Sequence, residues 1–112
     1  DNDKFYLTIK NLRFANESIK YFVEKNLKDN STISNINGFV ILNKNFFLQP
    51  EEVVFRSLTE LLKSVGKKYY PVRGKKIEKL IYKIKNDNSL MTTLGNCVIK
   101  KVNNSVIVSK ER

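Results

Sequence analysis

The chain has 112 residues, of which 41% are hydrophobic and 11% aromatic, and its formal net charge is +10. This length and composition suit one small folded domain and argue against general disorder. Because the sequence has no histidine and a single cysteine, Cys97, it excludes zinc-finger ligand sets, intramolecular disulfides and histidine-based acid–base catalysis.

The sequence also lacks the usual signals for membrane insertion. No apolar run approaches the roughly 20 residues that a membrane-spanning helix needs, and the start does not resemble a signal peptide. We therefore expect a cytoplasmic protein that makes no membrane contact. Since the chain begins Asp-Asn-Asp without an initiator methionine, we expect residues 1–112 to be a single domain belonging to a longer protein.

The first 28 residues have the apolar spacing of a helix. We predict one long helix over residues 3–28, with acidic residues near its N-terminus and lysines near its C-terminus. Its apolar stripe comprises Phe5, Ile9, Leu12, Ala15, Ile19, Phe22, Val23 and Leu27. Phe14 and Tyr21 lie beside the stripe, which indicates either a wide core face or a second packing surface.

Residues 38–48 form the next apolar segment, after a polar stretch over residues 29–37. Phe-Val-Ile-Leu at 39–42 is too short for a helix and rich in branched residues, which predicts a strand. After a turn, residues 46–48 form either a short return strand or a lead-in to the next helix. Pro50 and two glutamates favour a helix start there, and we expect Gly66 to end that helix with a positive φ.

Residues 50–86 form a predicted helix pair with a basic junction. Residues 63–85 include nine basic residues and one acidic residue, so they hold most of the net charge. In the second helix of the pair, residues 74–86, one face is apolar (Ile77, Leu80, Ile81 and Ile84) and the opposite face is basic (Lys75, Lys76, Lys79 and Lys83). A+T-rich coding bias also enriches lysine, but it would not concentrate charge on one helix face. We therefore predict contact with a polyanion.

The junction itself contains Tyr69, Tyr70, Pro71 and Arg73. Aromatic rings and a guanidinium among lysines are typical of surfaces that stack on bases. The two tyrosines equally suit a role as a cover over the joint between two helices, and the sequence leaves both interpretations open.

The end of the chain, residues 90–110, has the pattern of a β-hairpin region. Two branched runs flank Asn103-Asn104, a dipeptide that tolerates left-handed backbone. We expect one apolar sheet face and one face with Lys100 and Lys101. The predicted fold class is α+β: a small domain of about three helices with short strands and a C-terminal β-hairpin.

No residue pattern indicates an active site. Gly74-Lys75-Lys76 lacks the remaining features of a phosphate-binding loop, Cys97 has no histidine to activate it, and the acids form no pair. We predict no catalytic and no metal-binding residues. The predicted RNA-binding residues are Lys67, Lys68, Tyr70, Arg73, Lys75, Lys76, Lys79, Lys83, Lys100 and Lys101.

Three segments in order are similar to a known family. They are LQPEEVVFRSLTELLKSVG (48–66), YYPVRGKKIEKLI (69–81) and TTLGNCVIKKVNNSVIVSKER (92–112). Together they resemble the bacterial tRNA(Ile)-lysidine synthases, in the region after the catalytic ATP-pyrophosphatase domain. Two departures are Asn96, where the family commonly has a second glycine, and the ending Lys110-Glu111-Arg112 in place of Arg-Glu.

The resemblance implies a tRNA-binding C-terminal part of an ATP-dependent ligase that attaches lysine to the anticodon cytidine of an isoleucine tRNA. It implies tRNA(Ile) and the catalytic domain of the same chain as partners, a homodimeric parent as a further option, and ATP with Mg as cofactors of the parent. The family's Ser-Gly-Gly-x-Asp-Ser loop is absent from these residues. We therefore expect this part alone to be non-catalytic and without a cofactor.

Two other functions remain open from the sequence. Helix, turn, helix and hairpin is also the order of a winged-helix DNA-binding domain, although lysine on the exposed face suits phosphates better than bases. The chain is alternatively a structural or protein-interaction appendage whose lysines are only solvated.

Overall fold

A computed structural model describes the backbone of residues 2–34 and 38–111 and the side chains of residues 16–34 and 38–111. The described part contains the helices α1 (Asn2–Asp29), α2 (Glu51–Val65) and α3 (Gly74–Asn86), and a 3-10 helix at Lys44–Leu48. Its strands are β1 (Ser31–Ser34), β2 (Phe39–Leu42), β3 (Ser89–Leu94), β4 (Cys97–Val102) and β5 (Ser105–Lys110). The fold is α+β with C-terminal strands, which confirms the predicted class.

The strands form one antiparallel sheet in the order β1-β2-β5-β4-β3. The predicted hairpin is β4–β5, in which Val102 pairs with Ser105 across the two-residue turn. A second tight turn joins β3 to β4 through Gly95 and Asn96, which both have positive φ, at 60° and 64°. Two successive positive φ values suit a type I′ turn, and asparagine tolerates them well. Asn96 therefore fits this turn.

The strand β1 was not expected from the sequence, which assigned residues 29–37 to a polar connection. Its residues pair with β2 in register from Ser31 opposite Leu42 to Ser34 opposite Phe39. Because β1 is an edge strand of four residues with mostly polar side chains, the alternation of apolar and polar residues that would reveal it is missing.

The hydrophobic core lies between the sheet and the pair α2–α3. Leu80 is 3% exposed and Ile77 and Ile84 are buried with it, which places the apolar face of α3 in the core as predicted. Ile81 is half-buried at the edge of this cluster. The buried residues of the core are Val40, Leu42, Phe46, Phe47, Val54, Leu58, Leu61, Leu62, Ile77, Leu80, Ile84, Cys97, Ile99, Val106 and Val108.

The helix α1 packs against α2 through Val23 and through a buried polar contact that the sequence pattern did not reveal. The side chain of Asn26 donates to Phe46 O at 3.3 Å and to Ser57 Oγ at 3.2 Å, and its oxygen accepts from Asn30. These bonds connect α1 to the 3-10 helix and to α2. Because every polar atom of Asn26 has a partner, its burial costs little.

The predicted stripe of α1 needs one correction. Phe22 is 50% exposed and meets Tyr21 edge to face, with 5.4 Å between ring centroids, so it lies outside the packed face. The face of α1 that packs on α2 contains Asn26. Its hydrogen bond to Ser57 constrains the rotation of α1 about its own axis. Phe5, Ile9, Leu12, Phe14 and Ala15 lie outside the described side chains.

Residues 46–48 belong to the 3-10 helix, which settles the two alternatives left open for them in favour of a lead-in to α2. Phe46 and Phe47 are buried, and their rings meet at 4.9 Å. The Asn43 side chain accepts from Phe46 N at 3.2 Å and so caps the start of this helix.

Gly66 follows α2 as predicted, but the expected positive φ is wrong. Its φ is −75°, and the left-handed residue is Lys67, with φ 53°. The reason for glycine is a close approach. A Cβ at Gly66 would lie 2.1 Å from the carbonyl oxygen of Gly95, so the end of α2 and the β3–β4 turn fit together only without a side chain.

The prediction of an apolar face and a lysine face on the C-terminal strands is also wrong. Adjacent residues of a strand point to opposite faces, so Lys100 and Lys101 cannot share one. Lys101 follows Cys97 and Ile99 on the inner face, whereas Lys100 lies with Val98 and Val102 on the outer face.

Candidate nucleic-acid interface

The face of α3 that points away from the core is basic. Lys75, Lys76, Lys79 and Lys83 are all exposed there. This separation follows from the helical spacing of the sequence, because the same turns place Ile77, Leu80 and Ile84 in the core. The ion pair formed by the described residues joins Arg56 to Glu52, at 2.7 Å, and it involves no lysine of α3.

One aromatic residue on this surface was missed by the sequence reasoning. Tyr82 is 70% exposed and lines a shallow cleft together with Lys75, Lys79, Lys83 and the acidic Glu78. Its position outside the apolar arc of α3, three residues after Lys79, was the signal that could have found it. An exposed ring in a cleft lined mostly by lysines offers a flat contact for a base or ribose.

The junction between α2 and α3 places two further aromatic rings in solvent. Tyr69 is 97% exposed and Tyr70 is 65% exposed, so neither covers the joint between the helices. Lys68 is half-buried, and its Nζ lies 5.3 Å from the centroid of the Tyr70 ring, a cation–π distance. This contact holds the Tyr70 ring beside positive charge and leaves the Tyr69 ring free.

The junction is anchored at Val72 and at the start of α3. Val72 packs against the core, and its Cγ2 lies so close to Gly95 that a Cβ there would approach it within 2.6 Å. The backbone carbonyl of Arg73 accepts from the amides of Lys76 and Ile77, which begins α3, while the Arg73 side chain remains exposed. The backbone that carries the exposed side chains of the junction is therefore anchored by Val72 and by the first turn of α3.

Of the remaining predicted site residues, Lys67 is exposed at the start of the junction, but Lys100 and Lys101 do not join the α3 surface. Lys100 is exposed on the outer face of the sheet, opposite to α3. Lys101 donates from Nζ to the carbonyls of Ile84 and Asp87, the latter at 2.7 Å. It therefore caps the C-terminus of α3, where the carbonyls and the helix dipole favour a cation. We call the exposed set Lys67, Tyr69, Tyr70, Arg73, Lys75, Lys76, Lys79, Tyr82 and Lys83 the basic surface.

Cys97 lies in the hydrophobic core. It is fully buried, and its thiol donates to Leu62 O at 3.4 Å. Burial, and secondly the charge of Glu111, raises the pKa of the Cys97 thiol to about 11. The thiol is therefore protonated at neutral pH, and a protonated thiol is a poor nucleophile.

Two other features are absent from the described residues. No three His, Cys, Asp or Glu side chains cluster there as metal ligands would. None of the helices in the described part has the length and hydropathy of a membrane span.

Comparison with known proteins agrees with the resemblance seen in the sequence. Over 110 residues, 97% of this chain, the sequence is 22% identical to the tRNA(Ile)-lysidine synthase of Wolbachia sp. subsp. Brugia malayi (strain TRS). The chain is similar to the C-terminal part of that synthase. It spans 26% of the synthase's length. No protein-family model and no solved structure matches the chain.

Proposed function

We propose that this chain is the tRNA-binding C-terminal part of a tRNA(Ile)-lysidine synthase. The observation that supports it most strongly is the similarity along 97% of the chain to a protein of that name. The basic surface also supports the proposal, because the exposed lysines on one face of α3 would attract the phosphates of a nucleic-acid backbone.

Each part of the basic surface has a distinct role in this proposal. Lys75, Lys79 and Lys83 contact phosphates, which gives affinity without reading sequence. Tyr69, Tyr70 and Tyr82 are exposed and offer their rings to unpaired bases or riboses. The planar guanidinium of Arg73 stacks or forms paired hydrogen bonds, which a lysine cannot do.

The parent protein in this proposal is an ATP-dependent ligase that attaches lysine to the anticodon cytidine of tRNA(Ile) in the cytoplasm. ATP and Mg would bind to the catalytic domain of the same chain, since no residue described here matches the nucleotide loop of the family. The basic surface contributes by holding tRNA in one orientation relative to that domain, and homodimerisation of the parent remains part of the proposal.

The test replaces Lys75, Lys79 and Lys83 together with alanine and measures tRNA affinity at several salt concentrations. Each phosphate contact contributes about −0.7 to −0.9 to the slope of log affinity against log salt, so losing three should flatten the slope by roughly 2 to 3 units. The melting temperature should stay nearly constant, because all three side chains are exposed.

Two single variants sharpen this test. Arg73→Ala should lower affinity in a way that persists at high salt, because stacking and paired hydrogen bonds are less sensitive to screening. Lys100→Ala is the matched control: it removes an exposed lysine from the opposite face of the sheet and should leave the slope unchanged. An unchanged slope in the triple variant would contradict the proposal, and equal affinity for duplex DNA would favour the winged-helix alternative.

A further inference from the structure

The strand β3 forms one edge of the sheet, and its free side is unprotected. Residues Ser89–Leu94 pair with β4 on one side only. Their sequence, SLMTTL, contains no charged residue and no proline, and Met91 is 73% exposed. Among the described residues, no backbone hydrogen bond outside the sheet involves residues 89–94. Natural edge strands usually carry charges, proline or a bulge that prevents pairing with another strand.

Positive charge from α3 lies directly beside this edge. A cleft of about 160 Å³ lies between the helix and the strand, and it is lined by Lys76, Lys79, Leu80, Lys83, Thr92, Thr93 and Leu94. A chain added to β3 would therefore run along a row of ammonium groups. The opposite edge, β1, has four residues and is separated from β3 by three other strands, so it lacks these lysines.

We propose that the edge of β3 binds an extended acidic segment of a partner polypeptide by strand addition. The backbone amides and carbonyls of the segment would pair with those of β3, and alternate carboxylates would lie against Lys76, Lys79 and Lys83. The hydrogen bonds give the register, and the carboxylates give the preference for an acidic partner.

Two other occupants suit this edge less well. A second copy of the chain would bring the lysines of two α3 helices together, in a protein whose net charge is already +10. The phosphates of a nucleic acid could accept hydrogen bonds from the amides of the edge but could not donate to its carbonyls, so that only bases or ribose hydroxyls could pair with the carbonyls. A polypeptide strand satisfies both kinds of backbone group.

This inference goes beyond the proposed RNA-binding function, but the two share lysines. Lys76, Lys79 and Lys83 belong both to the basic surface and to the cleft beside β3. An acidic strand at β3 would therefore neutralise charge that tRNA needs, so the two ligands should compete. The partner would then regulate tRNA binding.

The experiment titrates the chain with a synthetic peptide of about six residues, the usual length of a strand, in which glutamate alternates with valine or threonine. Two control peptides replace the glutamates with lysine or place proline at alternate positions. The expected result is that only the uninterrupted acidic peptide binds, that it slows hydrogen exchange of amides within residues 89–94, and that it displaces tRNA.

A charge-reversed variant, K76E/K79E/K83E, should weaken binding of the acidic peptide at least tenfold, equivalent to about 1.4 kcal/mol. The matched variant K20E/K25E/K28E makes the same change in net charge at exposed positions of α1 and should leave peptide affinity nearly unchanged. Circular dichroism and melting curves of both variants confirm that they are folded.

The inference is overturned if the proline-containing peptide binds equally well, if the acidic peptide does not bind, or if tRNA and not the peptide protects the β3 amides. Direct tRNA titration of the unmodified chain separates the two proposals. Normal tRNA binding without peptide binding removes only this inference, and peptide binding without tRNA binding removes only the proposed function.

Discussion

At the scale of single residues, close approaches explain positions that composition and spacing leave ambiguous. Gly66 and Gly95 meet where α2 ends and β3 turns into β4, and Val72 closes the same contact from the junction. Asn26 is another such position, since its amide connects three elements from inside the packed face of α1. The contact between the two glycines and the hydrogen bonds of Asn26 cannot be predicted from a periodic pattern, because each depends on a neighbour distant in sequence.

We expect Gly66→Ala to destabilise the protein by about 3 kcal/mol, at the upper end of the cost of forcing extra atoms into a packed site. The added Cβ would lie 2.1 Å from Gly95 O, and backbone on both sides must move to relieve the clash. Urea denaturation measures the change. Ser64→Ala is the control, because Ser64 is exposed near the same end of α2. We expect this variant to lower the free energy of unfolding by less than about 0.5 kcal/mol. Equal midpoints for the two variants would show that the two glycines can separate freely.

At the scale of elements, α3 is defined by three environments. Its apolar face fills the core, its lysines form most of the basic surface, and its C-terminus is capped by Lys101 from β4. The hydrogen bonds of Lys101 to Ile84 O and Asp87 O join the C-terminal end of the helix to the sheet. Sequence alone placed Lys101 with the RNA-binding lysines, whereas its contacts assign it a stabilising role.

The pair Lys101→Ala and Lys100→Ala tests this difference between neighbouring lysines. We expect Lys101→Ala to lower the free energy of unfolding by about 1–2 kcal/mol, because two helix carbonyls lose a charged donor. Lys100→Ala should change stability by less than about 0.5 kcal/mol, since Lys100 is exposed on the outer face. Thermal melts at low and high salt would decide it, and identical melts for the two variants would contradict the capping role.

At the scale of the whole molecule, the positive charge is exposed and the thiol is buried. The described residues present a basic surface on α3 and the junction, whereas the one cysteine is buried and protonated at neutral pH. A continuous basic surface of this kind is what the proposed binding of tRNA requires. It agrees with the similarity of the chain to about a quarter of a longer synthase.

We expect the 112-residue chain by itself to release no pyrophosphate from ATP in the presence of tRNA(Ile) and lysine. The reason is that none of its residues matches the nucleotide-binding loop of the synthases. A pyrophosphate release assay with the isolated chain checks this, with a complete synthase as the positive control. Release above background from the isolated chain would show that catalytic groups lie within these residues.

The sequence by itself determined the three helices, the α+β class, the two faces of α3 and the position of the C-terminal hairpin. These features depend on local spacing: apolar residues at helical intervals, glutamates at a helix start, and asparagine or glycine at tight turns. The similarity to the synthases was also readable from short segments in order.

Only the tertiary structure decided the rest, because those features depend on contacts between residues far apart in the chain. The polar edge strand β1 is recognisable only by its pairing with β2. The rotation of α1, which leaves Phe22 half-exposed, is fixed by Asn26 and Ser57. Lys100 and Lys101 have the same chemistry and adjacent positions, yet the alternation of a strand sends one to solvent and the other to the end of α3.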